Sequence, residues 1–75
     1  MLPVLRASEV IRTLLRAGFR IIRSKGGHIR FEHVFTKRRV TVSFHGKDVP
    51  KKTLQSILNQ AGLSVQEFLR YFRGK

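Results

Sequence analysis

The sequence contains three histidines, the side chains whose protonation changes most readily near neutral pH, at positions 28, 33 and 45. His28 and His33 are five residues apart in one predicted strand and therefore face opposite sides of it, which argues against a metal site built from histidines. His28 and His45 share a face on neighbouring strands, within expected reach of one phosphodiester. Two interpretations stay open: ordinary polar residues at strand ends, or acid–base catalysts. RNA scission requires only a base near the 2′-OH and an acid at the leaving oxygen, so the catalytic interpretation predicts a metal-independent reaction selective for RNA over DNA.

Basic residues dominate the charge of the chain. Its 75 residues include 16 Lys and Arg against 4 Asp and Glu, a formal net charge of +12. A polyanion is the expected partner, since Lys and Arg gain binding free energy by releasing counterions from phosphates. Charge alone leaves RNA, DNA, an anionic lipid surface and an acidic protein open. Lys25, Arg30 and Arg39 are candidates to stabilise the negative charge that develops on phosphorus during cleavage.

The composition excludes several classes of site. The chain has no cysteine, which removes disulfides, thiolate nucleophiles and cysteine metal sites. Its acidic residues lie in different predicted elements, which gives poor support to a two-metal nuclease, and we expect no metal or cofactor. The turn Lys25-Gly26-Gly27 is too short for a phosphate-binding loop. Without an apolar run typical of a signal peptide or a membrane span, a cytoplasmic protein with no membrane role is expected.

Hydrophobic periodicity predicts six elements in the order α-β-β-β-α-α. A first helix is expected after a cap at Ser8 and ends at Gly18. Three strands follow, over residues 19–24, 28–33 and 40–45. A second helix spans the segment between Pro50 and Gly62, and the last helix begins at the capping box Ser64-Val65-Gln66-Glu67.

These elements predict one α+β domain over residues 1–75, in which helices cover one face of a three-stranded antiparallel sheet. Alternation along the second and third strands separates an apolar face from a polar face. The apolar face carries Ile29, Phe31, His33, Val40, Val42 and Phe44. The open polar face carries His28, Arg30, Glu32, Thr41, Ser43 and His45.

Four segments, in this order and spacing, resemble the HicA toxin family, small ribonucleases of HicA/HicB toxin–antitoxin systems. The resemblance covers nearly the whole chain and implies a double-stranded-RNA-binding-domain-like fold. The segments are Leu15-Arg16-Ala17-Gly18-Phe19, Lys25-Gly26-Gly27-His28-Ile29-Arg30-Phe31, Val40-Thr41-Val42 with His45-Gly46-Lys47, and the stretch from Thr53-Leu54 through Ile57-Leu58-Asn59-Gln60-Ala61-Gly62-Leu63-Ser64.

The resemblance implies that His28 is the catalytic general acid/base. The family commonly has a serine just before this histidine, whereas this chain has Gly27, and the missing hydroxyl predicts weaker activity. His45 matches a histidine often found after the third strand and is expected to support catalysis, together with Lys25 and Gly27. The expected RNA-binding residues are Arg23, Arg30, Arg39 and Lys47.

The family implies the toxin of a type II toxin–antitoxin system, an mRNA-cleaving endoribonuclease that arrests growth and acts in stress responses. A HicB-like antitoxin is the expected protein partner, in a hetero-oligomer that covers the active face, while the free toxin is expected to be a monomer. Two alternatives stay open. One is a non-catalytic RNA-binding module or degenerate toxin, and the other is an interaction protein that works only in complex with a partner.

Overall fold

The computed structural model describes residues 4–43 and 46–74. Three helices and five strands occur in these ranges. The helices are α1 (Ala7–Arg16), α2 (Lys51–Ala61) and α3 (Val65–Arg73). The strands are β1 (Leu5–Arg6), β2 (Phe19–Lys25), β3 (His28–His33), β4 (Arg39–Ser43) and β5 (Asp48–Val49).

The main sheet is antiparallel with the strand order β2-β3-β4, as short turns between successive strands require. The α+β class and the order α-β-β-β-α-α are therefore confirmed, and they are compatible with a double-stranded-RNA-binding-domain-like fold. A second, two-residue antiparallel ladder joins β1 to β5, with Leu5 opposite Val49. This ladder was not predicted, because two residues carry no periodicity.

The beginning of α1 differs from the prediction. The helix starts at Ala7, so Ser8 lies inside its first turn and is not its cap. The Arg6 backbone N–H, just before the helix, instead donates to the Glu9 carboxylate at 2.9 Å. A carboxylate in the first turn is also favoured by the helix dipole.

The beginning of α3 follows the predicted capping box. The Glu67 N–H donates to the Ser64 hydroxyl at 3.0 Å, and the Ser64 N–H donates to the Glu67 carboxylate at 2.9 Å. The hydrogen bond that the Glu67 carboxylate accepts from the Ser64 backbone N–H is the main reason why the pKa of Glu67 is lowered below its usual value. The Ser64 hydroxyl lowers this pKa further, because both groups stabilise the carboxylate form.

The core lies between the helices and one face of the main sheet. Helix α2 packs against β4, while α1 packs against β2 and α3. Apolar residues of β3 and β4 supply the sheet side of this core, which confirms the predicted apolar face within the described residues. The largest fully buried apolar side chains are Phe31, Phe68, Leu14, Leu54, Ile57 and Leu58. Within these ranges no helix has both the length and the apolar composition that a membrane span requires.

The pairing of β2 with β3 shifts by one residue near the middle of β2. Ile21 lies opposite Phe31, but Arg23 rather than Ile22 lies opposite Arg30. An extra residue of this kind is a β-bulge, and it reverses the faces on which the following side chains lie. Beyond the shift, Lys25 lies opposite His28 at the end of the hairpin.

The His33 side chain connects the turn between α1 and β2 to the turn that follows β3. Its Nδ1 accepts from the backbone N–H groups of Phe35 and Thr36, both at 3.1 Å, so the ring proton resides on Nε2. This Nε2 donates to the Ala17 carbonyl at 3.1 Å. The ring also packs edge-on against Phe19, with centroids 4.9 Å apart. Both ring nitrogens are thus used by the fold, which leaves His33 a structural role.

Substituting Gly18 by alanine is expected to destabilise the protein by about 1–3 kcal/mol. Gly18 has φ +99°, and a Cβ atom there would lie 2.8 Å from His33 Nε2. Gly46→Ala is the matched control, since Gly46 has φ +89° but, among the described residues beyond its chain neighbours, no atom lies within 4 Å of the added Cβ. Urea unfolding should therefore show a larger loss for Gly18→Ala, and equal losses would contradict the assigned contact.

Candidate functional site

The open face of the main sheet carries three cross-strand rows, each with one residue from β2, β3 and β4. The rows are Lys25–His28–Ser43, Arg23–Arg30–Thr41 and Arg20–Glu32–Arg39. The predicted polar face of β3 and β4 is confirmed for the described residues, since His28 lies opposite Ser43 and Arg30 lies opposite Thr41. His45 and Phe44 lie outside the described residues.

An open groove of about 500 Å³ crosses the first two rows. Its lining residues are Arg23, Lys25, Gly26, His28, Arg30 and Thr41. Four of them were singled out in the sequence: His28, Lys25, Arg23 and Arg30. They meet here because the bulge turns Arg23 and Lys25 to the same face as the β3 residues.

His28 is exposed at the start of β3, and its ring is oriented by β4. Its Nδ1 lies 2.9 Å from the Ser43 hydroxyl. A serine hydroxyl both donates and accepts, so it can hold either neutral tautomer of the imidazole. Within the described part of the chain, this contact uses one ring nitrogen and leaves Nε2 free to exchange a proton with a bound molecule.

Ser43 is a functional candidate that the sequence prediction missed. Alternation placed it on the open face, but alternation does not specify which residue lies opposite His28. The residue before His28, Gly27, has no hydroxyl, but the Ser43 hydroxyl on β4, 15 residues along the chain, lies beside the ring. Gly27 itself lies in the hairpin turn next to His28.

The third row contains the one acidic residue among the nine row residues. Glu32 lies between Arg20, at 3.7 Å, and Arg39, at 3.3 Å, and its own side chain is only 15% exposed. Arg39 is therefore paired with a carboxylate and does not line the groove. Lys47, the other predicted RNA-binding residue, lies between β4 and β5, where its carbonyl accepts from Ala7, and it does not line the groove either.

The site has no evident metal chemistry in the ranges that the structure describes. No group of three His, Asp or Glu side chains comes together there in a way that suits a metal ion. The arrangement offers instead one exposed imidazole with an oriented ring, beside two guanidinium groups and one ammonium group. Such a set suits proton transfer at a phosphodiester whose charge is stabilised by cations.

Comparison with known proteins supports the family inferred from the motifs. The sequence matches the family model described as HicA toxin of bacterial toxin-antitoxin over residues 7–63 of the 75-residue chain. The matched segment begins with α1, ends just after α2 and contains every residue that lines the groove. A search of the curated proteins found no match.

Substitution of the two described histidines should affect stability differently. His33→Ala removes three hydrogen bonds and an aromatic contact, so we expect the free energy of unfolding to fall by about 2 kcal/mol or more. His28→Ala removes one exposed contact and should change it by no more than about 0.5 kcal/mol. Urea denaturation of both variants measures the difference. A comparable loss in both would show that His28 also supports the fold.

Proposed function

This chain belongs to the HicA toxin family of bacterial toxin–antitoxin systems, and on that premise we propose that it is a metal-independent endoribonuclease that cleaves mRNA with His28 as general acid/base. The observation that carries the proposal is the His28 imidazole, oriented by the Ser43 hydroxyl at 2.9 Å, in a groove lined by Arg23, Lys25 and Arg30. Within the described parts of the chain, none of the cations that line this groove is paired with a carboxylate.

The proposed reaction uses the 2′-OH of the RNA as the nucleophile. His28 Nε2 takes the 2′-OH proton while the 2′ oxygen forms a bond to phosphorus and the bond from phosphorus to the 5′ oxygen breaks. A proton returns to the 5′ oxygen, so the products carry a 2′,3′-cyclic phosphate and a 5′-OH. DNA has no 2′-OH and is therefore not a substrate.

Cations around His28 have two roles in this reaction. Lys25 lies opposite His28 on β2, and Arg30 lies two residues further along β3 on the same face. Both are placed to stabilise the additional negative charge on phosphorus in the transition state. Arg23, opposite Arg30, extends the same positive surface for the phosphates of the bound strand.

A HicB-like antitoxin is the proposed protein partner, and the free toxin is proposed to be a monomer. The net charge of +12 and the uncompensated cations of the groove favour an inhibitor that presents carboxylates to the same face that binds RNA. The antitoxin and RNA would then compete for the groove, and the inactive state would be a hetero-oligomer.

The proposal is tested by incubating purified protein with a long single-stranded RNA and its DNA counterpart in EDTA, followed by analysis of the product ends. We expect cleavage of RNA only, with 2′,3′-cyclic phosphate ends, and loss of cleavage in His28→Ala with RNA binding retained. Circular dichroism of the variant controls for folding. Cleavage that persists in His28→Ala would refute the role of His28, and RNA binding without cleavage by the unchanged protein would favour the RNA-binding module or degenerate toxin.

Ser43→Ala should lower kcat about tenfold with little change in KM, because about 1.4 kcal/mol of hydrogen bonding to the catalytic ring is lost while the groove cations remain. Ser43→Thr keeps a hydroxyl and should restore much of the rate. Steady-state kinetics of the two variants measure this. A change in KM alone, or equal rates for alanine and threonine, would mean that Ser43 does not orient His28.

A further inference from the structure

A second groove, of about 420 Å³, lies beside the first, between β4 and α2. Its lining residues are Thr41, Ser43, Lys52, Thr53, Ser56, Ile57 and Gln60. Thr41 lines both grooves, and Ser43 contacts His28 from the side of the second groove. A strand of nucleic acid that passes His28 therefore has this groove beside it on the β4 side.

Hydrogen-bonding groups face the second groove from both of its walls. The Thr41 backbone N–H points away from β3 and donates to the Gln60 side-chain oxygen at 3.1 Å. Backbone groups alternate along a strand, so the N–H of Ser43 also points towards α2. Gln60 donates in turn to the Ser56 hydroxyl at 3.3 Å, which fixes the orientation of the amide. Hydroxyl, amide and peptide groups thus form a polar lining of fixed geometry.

The charges favour a path of the RNA strand from His28 into the second groove over a path along the sheet towards the third row. In the third row the Glu32 carboxylate lies between Arg20 and Arg39, which leaves one net positive charge and places a carboxylate where it repels a phosphate. Among the residues that the structure describes, the lining of the second groove has no carboxylate and has one cation, Lys52. A phosphate next to the His28 site can therefore approach the Lys52 ammonium without meeting a carboxylate of this lining.

We propose that the groove between β4 and α2 is a second RNA subsite, which binds the ribose–phosphate of a nucleotide next to the scissile phosphate. Lys52 binds the phosphate, and the hydroxyl and amide groups bind the ribose hydroxyl. The described lining offers an ammonium, hydroxyls and an amide, which are groups that suit the ribose–phosphate backbone. The inference rests on the proposed ribonuclease function. It adds the path that the bound RNA strand takes beyond the scissile phosphate.

Neighbouring lysines provide a matched pair for the test. Lys51 and Lys52 are both exposed in the first turn of α2, but only Lys52 lines the groove. Lys51→Gln and Lys52→Gln remove the same charge from the same part of the protein, so a difference between them reports contact in the groove. Circular dichroism and urea unfolding of both variants control for folding.

The probes are a dinucleotide with a single phosphodiester and an unstructured RNA oligonucleotide long enough to enter both grooves. On the oligonucleotide we expect Lys52→Gln to lower kcat/KM about tenfold more than Lys51→Gln does, as for the loss of one charge-assisted hydrogen bond. On the dinucleotide the two variants should differ much less. The slope of log K against log salt for oligonucleotide binding should fall by about 0.7 in Lys52→Gln, the value for one phosphate contact on a single strand.

Equal losses in the two variants, or equal effects of Lys52→Gln on both probes, would overturn the subsite while leaving the ribonuclease intact. If the unchanged protein cleaves neither probe but binds the oligonucleotide, the ribonuclease proposal fails and the binding data still decide whether the groove holds the strand. If the unchanged protein neither cleaves nor binds RNA, both proposals fail.

Discussion

The one-residue register shift in β2 is the constraint on which the site depends. With unbroken alternation from Phe19, the side chains of Arg23 and Lys25 would lie on the opposite face of the sheet from His28. Neither could then line the groove. The bulge lets a single strand place Phe19 under the helices and both cations beside His28. A local irregularity in the backbone thereby makes one short sheet serve both the core and the groove.

The groove gathers like charges, which costs stability in the absence of an anion. Arg23 lies directly opposite Arg30, and cross-strand pairs of like charge are destabilising. The third row is built differently, since the Glu32 carboxylate lies between its two arginines. Part of the positive charge is therefore offset in that row, whereas the two rows nearest His28 contain no carboxylate. This contrast favours a bound anion at the groove over a general basic surface, and phosphodiester and carboxylate ligands both satisfy it.

The fold was largely predictable because its elements carry strong local signals. Ser64 and Glu67 form the capping box that their spacing predicts, and the polar and apolar faces of β3 and β4 follow from alternation. The site was only partly predictable. Neither the bulge nor the pairing of His28 with Ser43 has a signature in a single sequence, because alternation specifies a face and not a register. The predicted cap of α1 at Ser8 was wrong, because the helix already begins at Ala7 and the carboxylate in its first turn, Glu9, accepts from the backbone N–H of Arg6.

The pairing with Ser43 bears on how one histidine can serve both halves of the proposed cleavage. A base must begin with Nε2 unprotonated, which requires the proton on Nδ1 and an acceptor for it. After Nε2 has taken a proton, Nδ1 still needs that acceptor, and when the proton has passed to the leaving oxygen the starting tautomer is restored. The Ser43 hydroxyl, 2.9 Å away, accepts throughout this cycle without moving. This hydroxyl is carried on β4, so a hydroxyl lies beside the His28 ring although the residue before His28 in sequence is Gly27.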